Sequence, residues 1–453
     1  MKQLLPSIEF AKEILGVQQY DKNKKYRWLH FCLKRENNNE YLLYNNLTRE
    51  YLILTVEEFK ELSSSNFSKP VELVRSLVEK WFLVPEDAVD YNLCDQIKSI
   101  LKLYENRDDS ICKFNIFPTS ACNARCFYCF EAGSRQYSMD DKTAKDVVEY
   151  IVRKCKGKPV ILYWFGGEPL CNTRAINIIC DGLSKNNIKF KSRITTNGYL
   201  FNEEMILLAI KNWNLKVAQV TLDGLEETYN RVKNYKNNDK NAFAKVISNI
   251  ELLCKHGVDL KIRLNMDLYN SKELRELINY LNIRFAKFDN FAVFVRPIYE
   301  NEGFEKITHT KDERKKVSDE FLDLLNYIDE LGLRGKIGLS RKYKTTSCQA
   351  DEKSWAMILP DGHLGFCERF VDRDFYGTIY DDADKPIWSE YKEIEEKCKM
   401  CPAYVDCVRL KKCHGCNHEC YDYEQKLRID VIERGMIAEY CRLQKDKNTE
   451  ISM

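Results

Sequence analysis

The sequence predicts an α/β protein built round a parallel sheet, with a small α+β unit before it and a cysteine-rich unit after it. Three observations point there. Short apolar runs alternate with helical patterns from Lys113 to Gly332, turn-linked strands precede them, and six of the nineteen cysteines crowd between Cys398 and Cys420. At 453 residues the chain has room for two or three domains.

In the first unit, over 1–105, strands are expected at Trp28–Lys34 and Tyr41–Tyr44, joined through Asn37-Asn38-Asn39, and at Tyr51–Leu54. Thr55 with Glu58 three residues on is a capping-box pattern for a short helix. Val71–Lys80 has helical apolar spacing ahead of Trp81-Phe82-Leu83-Val84. The unit reads as winged-helix-like.

Over 106–335 the expected strands are Lys113–Phe117, Val160–Phe165, Arg193–Thr196, Ala218–Leu222, Leu260–Asn265 and Asn290–Val295. Helices are expected at Lys142–Lys154, Glu203–Asn212, Ala242–Lys255, Lys272–Leu281 and Glu313–Leu331. Such alternation gives a parallel sheet, open or curled into a partial barrel, with ligands at the C-terminal strand ends. The remainder, 336–453, lacks periodic apolar pattern until a helix near Tyr421–Tyr440. A segment unable to bury a large core folds around metal.

Hydrophobic residues at 44% and charged residues at 31% fit a soluble globular protein. No apolar run reaches the ~18 residues of a membrane span, and MKQLLPSIEFAKEILG lacks a signal-peptide pattern. The expected setting is the cytoplasm, where reducing conditions disfavour disulfides and clustered cysteines bind metal or do redox chemistry. With 71 basic against 69 acidic residues, net charge +2, there is no bulk field to gather nucleic acid. Neither nucleic acid nor membrane is an expected partner.

Directly after the first strand of the alternating region comes Cys122-Asn-Ala-Arg-Cys126-Phe-Tyr-Cys129. Three thiolates on one loop can hold three irons of a 4Fe-4S cluster and leave the fourth iron open. A structural zinc loop is the alternative, although it would want a fourth ligand that no nearby histidine supplies. With an aromatic before its third cysteine, the motif resembles the signature of the radical S-adenosylmethionine superfamily. The resemblance runs from Lys113 to Tyr299 and implies a partial (β/α)6 barrel. It implies that Cys122, Cys126 and Cys129 hold a cluster whose open iron chelates S-adenosylmethionine. One electron then cleaves the sulfonium to methionine and a 5'-deoxyadenosyl radical, with an external flavodoxin- or ferredoxin-type donor as partner. Gly166-Gly167-Glu168-Pro169 resembles the family's GGEP motif, which contacts the cofactor's amino group. Thr196 and Asn197, Asp223, and Arg263 with Asn265 are further cofactor-site candidates, each at the end of a successive strand.

Cys348, the G-x4-C of Gly362 and Cys367, and Cys398-x2-Cys401-x5-Cys407 resemble the SPASM domain, which implies two auxiliary 4Fe-4S clusters. Carried over by position, Cys348, Cys367 and Cys413 belong to the first, and Cys398, Cys401, Cys407 and Cys420 to the second. The step from Cys407 to Cys413 is longer than the family's C-x3-C, and Cys416 and Cys441 are spare candidates. Three protein ligands on the first cluster would leave an iron for a substrate thiolate. A pair of zinc ribbons is the alternative. Cys32, Cys94, Cys155, Cys171, Cys180 and Cys254 read mostly as buried small hydrophobes.

The N-terminal stretch YLLYNNLTREYLILTVEEFKEL resembles the recognition element of enzymes that mature ribosomal peptides. There a leader peptide adds as a strand to a sheet edge; a cap that merely packs on the barrel is the alternative. The implied function is a maturase that abstracts hydrogen from a precursor peptide carrying a leader and installs a thioether or carbon-carbon crosslink. A sulfatase-maturase-like, formylglycine-forming enzyme is the second reading, and a non-catalytic, zinc-stabilised binding protein the third. Glu368, directly after Cys367, is the candidate base in either enzyme.

Overall fold

A computed structural model describes residues 18–105, 107–298, 309–335, 348–370, 374–381, 383–386, 388–408, 410–413 and 420–451. Two compact units result, one from residues 1–108, 336–348 and 389–453, the other from 109–335 and 349–388.

In the first unit, β1 (Tyr26–Trp28) pairs antiparallel with β5 (Leu83–Pro85), while β2 (Cys32–Asn37), β3 (Glu40–Asn45) and β4 (Glu50–Thr55) form an antiparallel sheet in that order. The single strand expected at Trp28–Lys34 is broken. Its bend is pinned by Asp90, which accepts from the His30 amide at 2.7 Å and pairs with Arg27 at 2.9 Å, while Leu29 and Phe31 enter the core. Asn38, at φ 55°, takes the left-handed conformation that a tight hairpin between β2 and β3 needs. Helix α1 (Val56–Ser64) starts from the capping box, with Thr55 and Glu58 each accepting from the other's amide. Helices α2 (Val71–Glu79) and α3 (Asp90–Glu105) close the core over Leu77, Trp81 and Phe82.

The second unit carries the six expected parallel strands in sequence order: β6 (Lys113–Thr119), β7 (Val160–Gly166), β8 (Phe190–Thr196), β9 (Leu215–Leu222), β10 (Asp259–Met266) and β11 (Phe291–Pro297). Helices α4 (Asp141–Cys155), α5 (Thr173–Lys185), α6 (Glu203–Asn212), α7 (Glu226–Lys233), α8 (Ala242–Lys255), α9 (Ser271–Phe285) and α10 (Lys311–Glu330) join or follow them. Alternation sorts the side chains. Ile116, Trp164, Ile194, Val220, Ile262 and Val293 belong to the core, so their neighbours along each strand point to the other, inner face. Beyond β6 the sheet continues: β12 (Trp355–Ile358) pairs parallel to β6, and β13 (His363–Gly365) and β14 (Phe375–Thr378) follow antiparallel. Residues 349–388 thus belong to the barrel unit.

Residues 389–453 return to the first unit with α11 (Glu396–Lys399) and α12 (Asp422–Ile451), the latter longer than the helix expected at Tyr421–Tyr440. Ile429, Ile432, Met436 and Tyr440 of α12 pack on Leu33, Leu42 and Tyr44. The opposite face of the same sheet, with Leu43 and Leu54, belongs to the core formed with α1 to α3. Arg49, its side chain 4% exposed, pairs with Asp406 at 2.5 Å. A cavity of about 500 Å³ opens beside β2, lined by residues that include Trp28, His30, Lys34, Met400, Ile429 and Glu433. Among the described residues no helix is long and apolar enough to cross a membrane.

Candidate cofactor and active site

Cys122, Cys126 and Cys129 sit half-buried on the loop after β6 and are not paired in disulfides. The loop is held by its backbone: Arg125 N donates to Lys233 O at 2.8 Å and Lys236 N to Asn123 O at 2.9 Å. Burial raises all three thiol pKa values, that of Cys129 to about 12. Asn123 Nδ2 is buried without an acceptor. Three thiols lacking a fourth in the loop, beside an amide donor lacking a partner, fit a cluster with an open iron and a ligand rich in acceptors. Among the described residues no three His, Cys, Asp or Glu side chains converge on a site for a single ion.

Gly166 and Gly167 are bare where two backbones meet. A Cβ on Gly166, whose φ is 109°, would lie 2.3 Å from Thr119 O, and one on Gly167 2.4 Å from Ala121 O. Their bareness lets the end of β7 lie against the backbone that leads into the cysteine loop, with Glu168 N donating to Ala121 O at 2.9 Å. Pro169 opens a 3₁₀ turn whose first two residues are buried. The Glu168 carboxylate is fully buried and accepts from Thr196 Oγ1 at 2.7 Å, Asn197 N at 2.8 Å and Leu170 N at 3.2 Å. Burial pushes its pKa up, against the pull of these bonds. Asn197 Nδ2 reaches Asn123 Oδ1 at 2.7 Å, which ties the end of β8 to the cysteine loop.

A second layer forms round Asp223. It accepts from Tyr128 at 3.0 Å and Asn265 Nδ2 at 3.0 Å and pairs with Lys233 at 2.9 Å, both charged side chains only 3% exposed. Lys233 also donates to Tyr128 at 3.1 Å. Burial opposes the Lys233 charge most strongly, yet Asp223, with Tyr128 and Cys126, holds its pKa well above the ordinary value. Arg263 donates through Nε to Asn265 Oδ1 at 2.9 Å. Sequence reasoning missed Lys233. It ends α7 ten residues after Asp223, and no motif marks it.

Glu368 follows β13 in a short 3₁₀ turn, accepts from Gln349 Nε2, and lies close enough for Arg263 to stabilise its charge. Burial is the larger influence and raises its pKa. The candidate base is therefore within electrostatic reach of Arg263, which bonds Asn265 of the Asp223 layer. Phe117, Phe165 and Phe130 pack in succession, with ring centroids 5.5 and 6.4 Å apart.

Of the auxiliary candidates, Cys398, Cys401, Cys407 and Cys420 lie in the first unit, near enough to perturb one another's charge. Arg428 of α12 donates to Cys407 Sγ at 3.4 Å. Cys348 and Cys413 belong to the same unit and Cys367 to the barrel unit. Cys416 lies outside the described residues, and Cys441 is exposed. Cys32, Cys94, Cys155, Cys180 and Cys254 are buried, but Cys171 is exposed, because the 3₁₀ turn after Glu168 buries Pro169 and Leu170 instead.

Three thiols on one loop, a buried glutamate and a buried Asp-Lys pair thus gather at the C-terminal ends of adjacent parallel strands, where ligands of such sheets bind. The description "Radical SAM superfamily" matches residues 116–281. An uncharacterized protein of Methanocaldococcus jannaschii is 30% identical over 268 residues, 58% of this chain and 87% of its own. The cysteine-type anaerobic sulfatase-maturating enzyme of Clostridium perfringens is 23% identical over 354 residues, 69% of this chain and 90% of its own. The crystal structure of Streptococcus suis SuiB bound to precursor peptide SuiA shares the fold at a TM-score of 0.50 and 16% identity, over 84% of this chain and 94% of that one. The chain carries a domain of the radical SAM superfamily, whose cofactors are a 4Fe-4S cluster and S-adenosylmethionine.

Proposed function

We propose that the protein is a peptide maturase that abstracts a hydrogen atom from a ribosomally made precursor and installs a thioether or carbon-carbon crosslink. In this reading 1–105 recognises the leader, 106–335 holds the cofactor, and 336–453 supplies auxiliary clusters. When bound, the catalytic cluster and S-adenosylmethionine supply the 5'-deoxyadenosyl radical. The chain's own part is positional. Cys122, Cys126 and Cys129 would hold the cluster, Glu168 and Asn197 would contact the cofactor's polar end, and Glu368 would take a substrate proton.

The observation that carries the peptide assignment is the three-stranded sheet. Both its faces are covered, but β2 and β4 are its edges, and a cavity of about 500 Å³ lies beside β2. An extended leader paired to such an edge gains main-chain hydrogen bonds, with side-chain pockets for specificity. The likeness to the peptide-bound SuiB fold and to a sulfatase-maturating enzyme supports a peptide substrate. Formylglycine formation is the second reading, favoured by the half-buried acid that directly follows Cys367.

The test is anaerobic reconstitution followed by 5'-deoxyadenosine release with dithionite. Cys122, Cys126 and Cys129 replaced together by Ala should abolish release while iron bound by the C-terminal cysteines persists. Undiminished release would sink the catalytic assignment, and four or fewer irons per chain in the parent would sink the auxiliary clusters. The mass change of a precursor peptide after turnover separates a crosslink from formylglycine.

A further inference from the structure

On β11, Val293 and Val295 are buried in the core, so Ala292, Phe294 and Arg296 share the inner face. Arg296 stands opposite Asn265 across the β10–β11 register, with Arg263 two residues back on the same face of β10. Arg263 and Arg296 are thus diagonal neighbours on one face of the β10–β11 pair, and Arg296 adds to the burial that lowers the Arg263 pKa.

Charges at this end of the barrel are unevenly matched. Lys233 is paired with Asp223, whereas Arg263 has Glu368 only within electrostatic reach. Arg296 is exposed, and among the described residues it makes neither hydrogen bond nor ion pair. Arg263 uses Nε on Asn265, which leaves its two terminal nitrogens directed elsewhere. Two adjacent guanidiniums repel unless an anion joins them, and their planar donor forks match the two oxygens of a carboxylate. The C-terminal ends of the strands are where ligands of such sheets bind.

We propose that Arg296, with Arg263 beside it, binds a carboxylate of the substrate, an acidic side chain or chain terminus, and so fixes which peptide residue enters next to Glu368. This rests on the peptide reading above. The cofactor's own carboxylate offers the same chemistry, so the experiment carries one arm for each source.

Full-length, cluster-loaded enzyme is titrated with N-acetyl-glutamate α-amide and its neutral isostere N-acetyl-glutamine α-amide, followed by saturation-transfer NMR. In parallel, S-adenosylmethionine affinity is measured by equilibrium dialysis. The acidic probe should bind roughly tenfold more tightly than the neutral one, a preference that R296Q removes and R296K keeps in part, because Lys holds the charge without the fork. Cofactor affinity should stay within about twofold in both variants, since Arg296 is assigned to the substrate. Equal binding of the two probes by the parent, or a preference that survives R296Q, overturns the site. Weakened cofactor affinity in R296Q with the probe preference intact gives the guanidinium to the cofactor and overturns it too. Each of these results concerns Arg296 alone. The peptide reading fails separately, if the precursor gains no mass change while 5'-deoxyadenosine is still released.

Discussion

Replacing Lys233 by Met removes the cation buried against Asp223. At 2.9 Å two unit charges attract by about 6 kcal/mol at an effective dielectric constant of about 20, and the desolvation of both groups opposes much of that. K233M leaves a buried carboxylate with only the neutral donors Tyr128 and Asn265, so a loss of about 3–5 kcal/mol is expected. D223N strands the ammonium instead and should cost a similar amount. The double variant K233M/D223N contains no uncompensated charge and should lose clearly less than the two single losses combined. The loop 122–129 should report the change, because Arg125 N bonds to Lys233 O and Lys236 N to Asn123 O. Hydrogen exchange of peptides covering 122–129 and 233–236 measures local opening, and urea unfolding measures the whole. Strictly additive losses, or a K233M variant within about 0.5 kcal/mol of the parent, would refute the claim that this pair clamps the cysteine loop.

Three other changes bear on the same architecture. G167A places a Cβ 2.4 Å from Ala121 O and 2.5 Å from Ser120 O, so the loop must shift; iron analysis of the variant should show loss at the catalytic cluster with C-terminal iron kept. E168Q turns an amide donor toward Asn197 N or Thr196, an unfavourable contact worth about 1–3 kcal/mol; thermal unfolding should register it, and S-adenosylmethionine affinity should fall by tenfold or more, roughly. M436A empties a fully buried position between α12 and the N-terminal sheet, at about 2–5 kcal/mol, and exchange of the β3 amides should quicken accordingly.

The sequence carried those features that local chemistry decides. Apolar runs at Val160–Phe165 or Leu260–Asn265 read as strands because both faces of a parallel sheet strand are shielded, and each proved to be one. The Thr55–Glu58 cap was legible because its partners lie three residues apart. Cys122, Cys126 and Cys129 were legible as donors because thiol spacing on one loop is itself the signal. By contrast, the break at residues 29–31 depends on Asp90, some sixty residues away, and no local pattern could announce it.

What the tertiary structure alone decided is how distant segments meet. Lys233 has no helical or motif signature; it matters because folding brings it within 2.9 Å of Asp223 and 3.1 Å of Tyr128, out of water. The C-terminal residues divide, 349–388 extending the barrel sheet at β6 and α12 covering the N-terminal sheet, because each fills an open strand edge or apolar face that the sequence shows only as unpaired pattern. Periodicity tells which face of an element must be buried, but not against what. That choice is made by shape and charge complementarity among segments hundreds of residues apart.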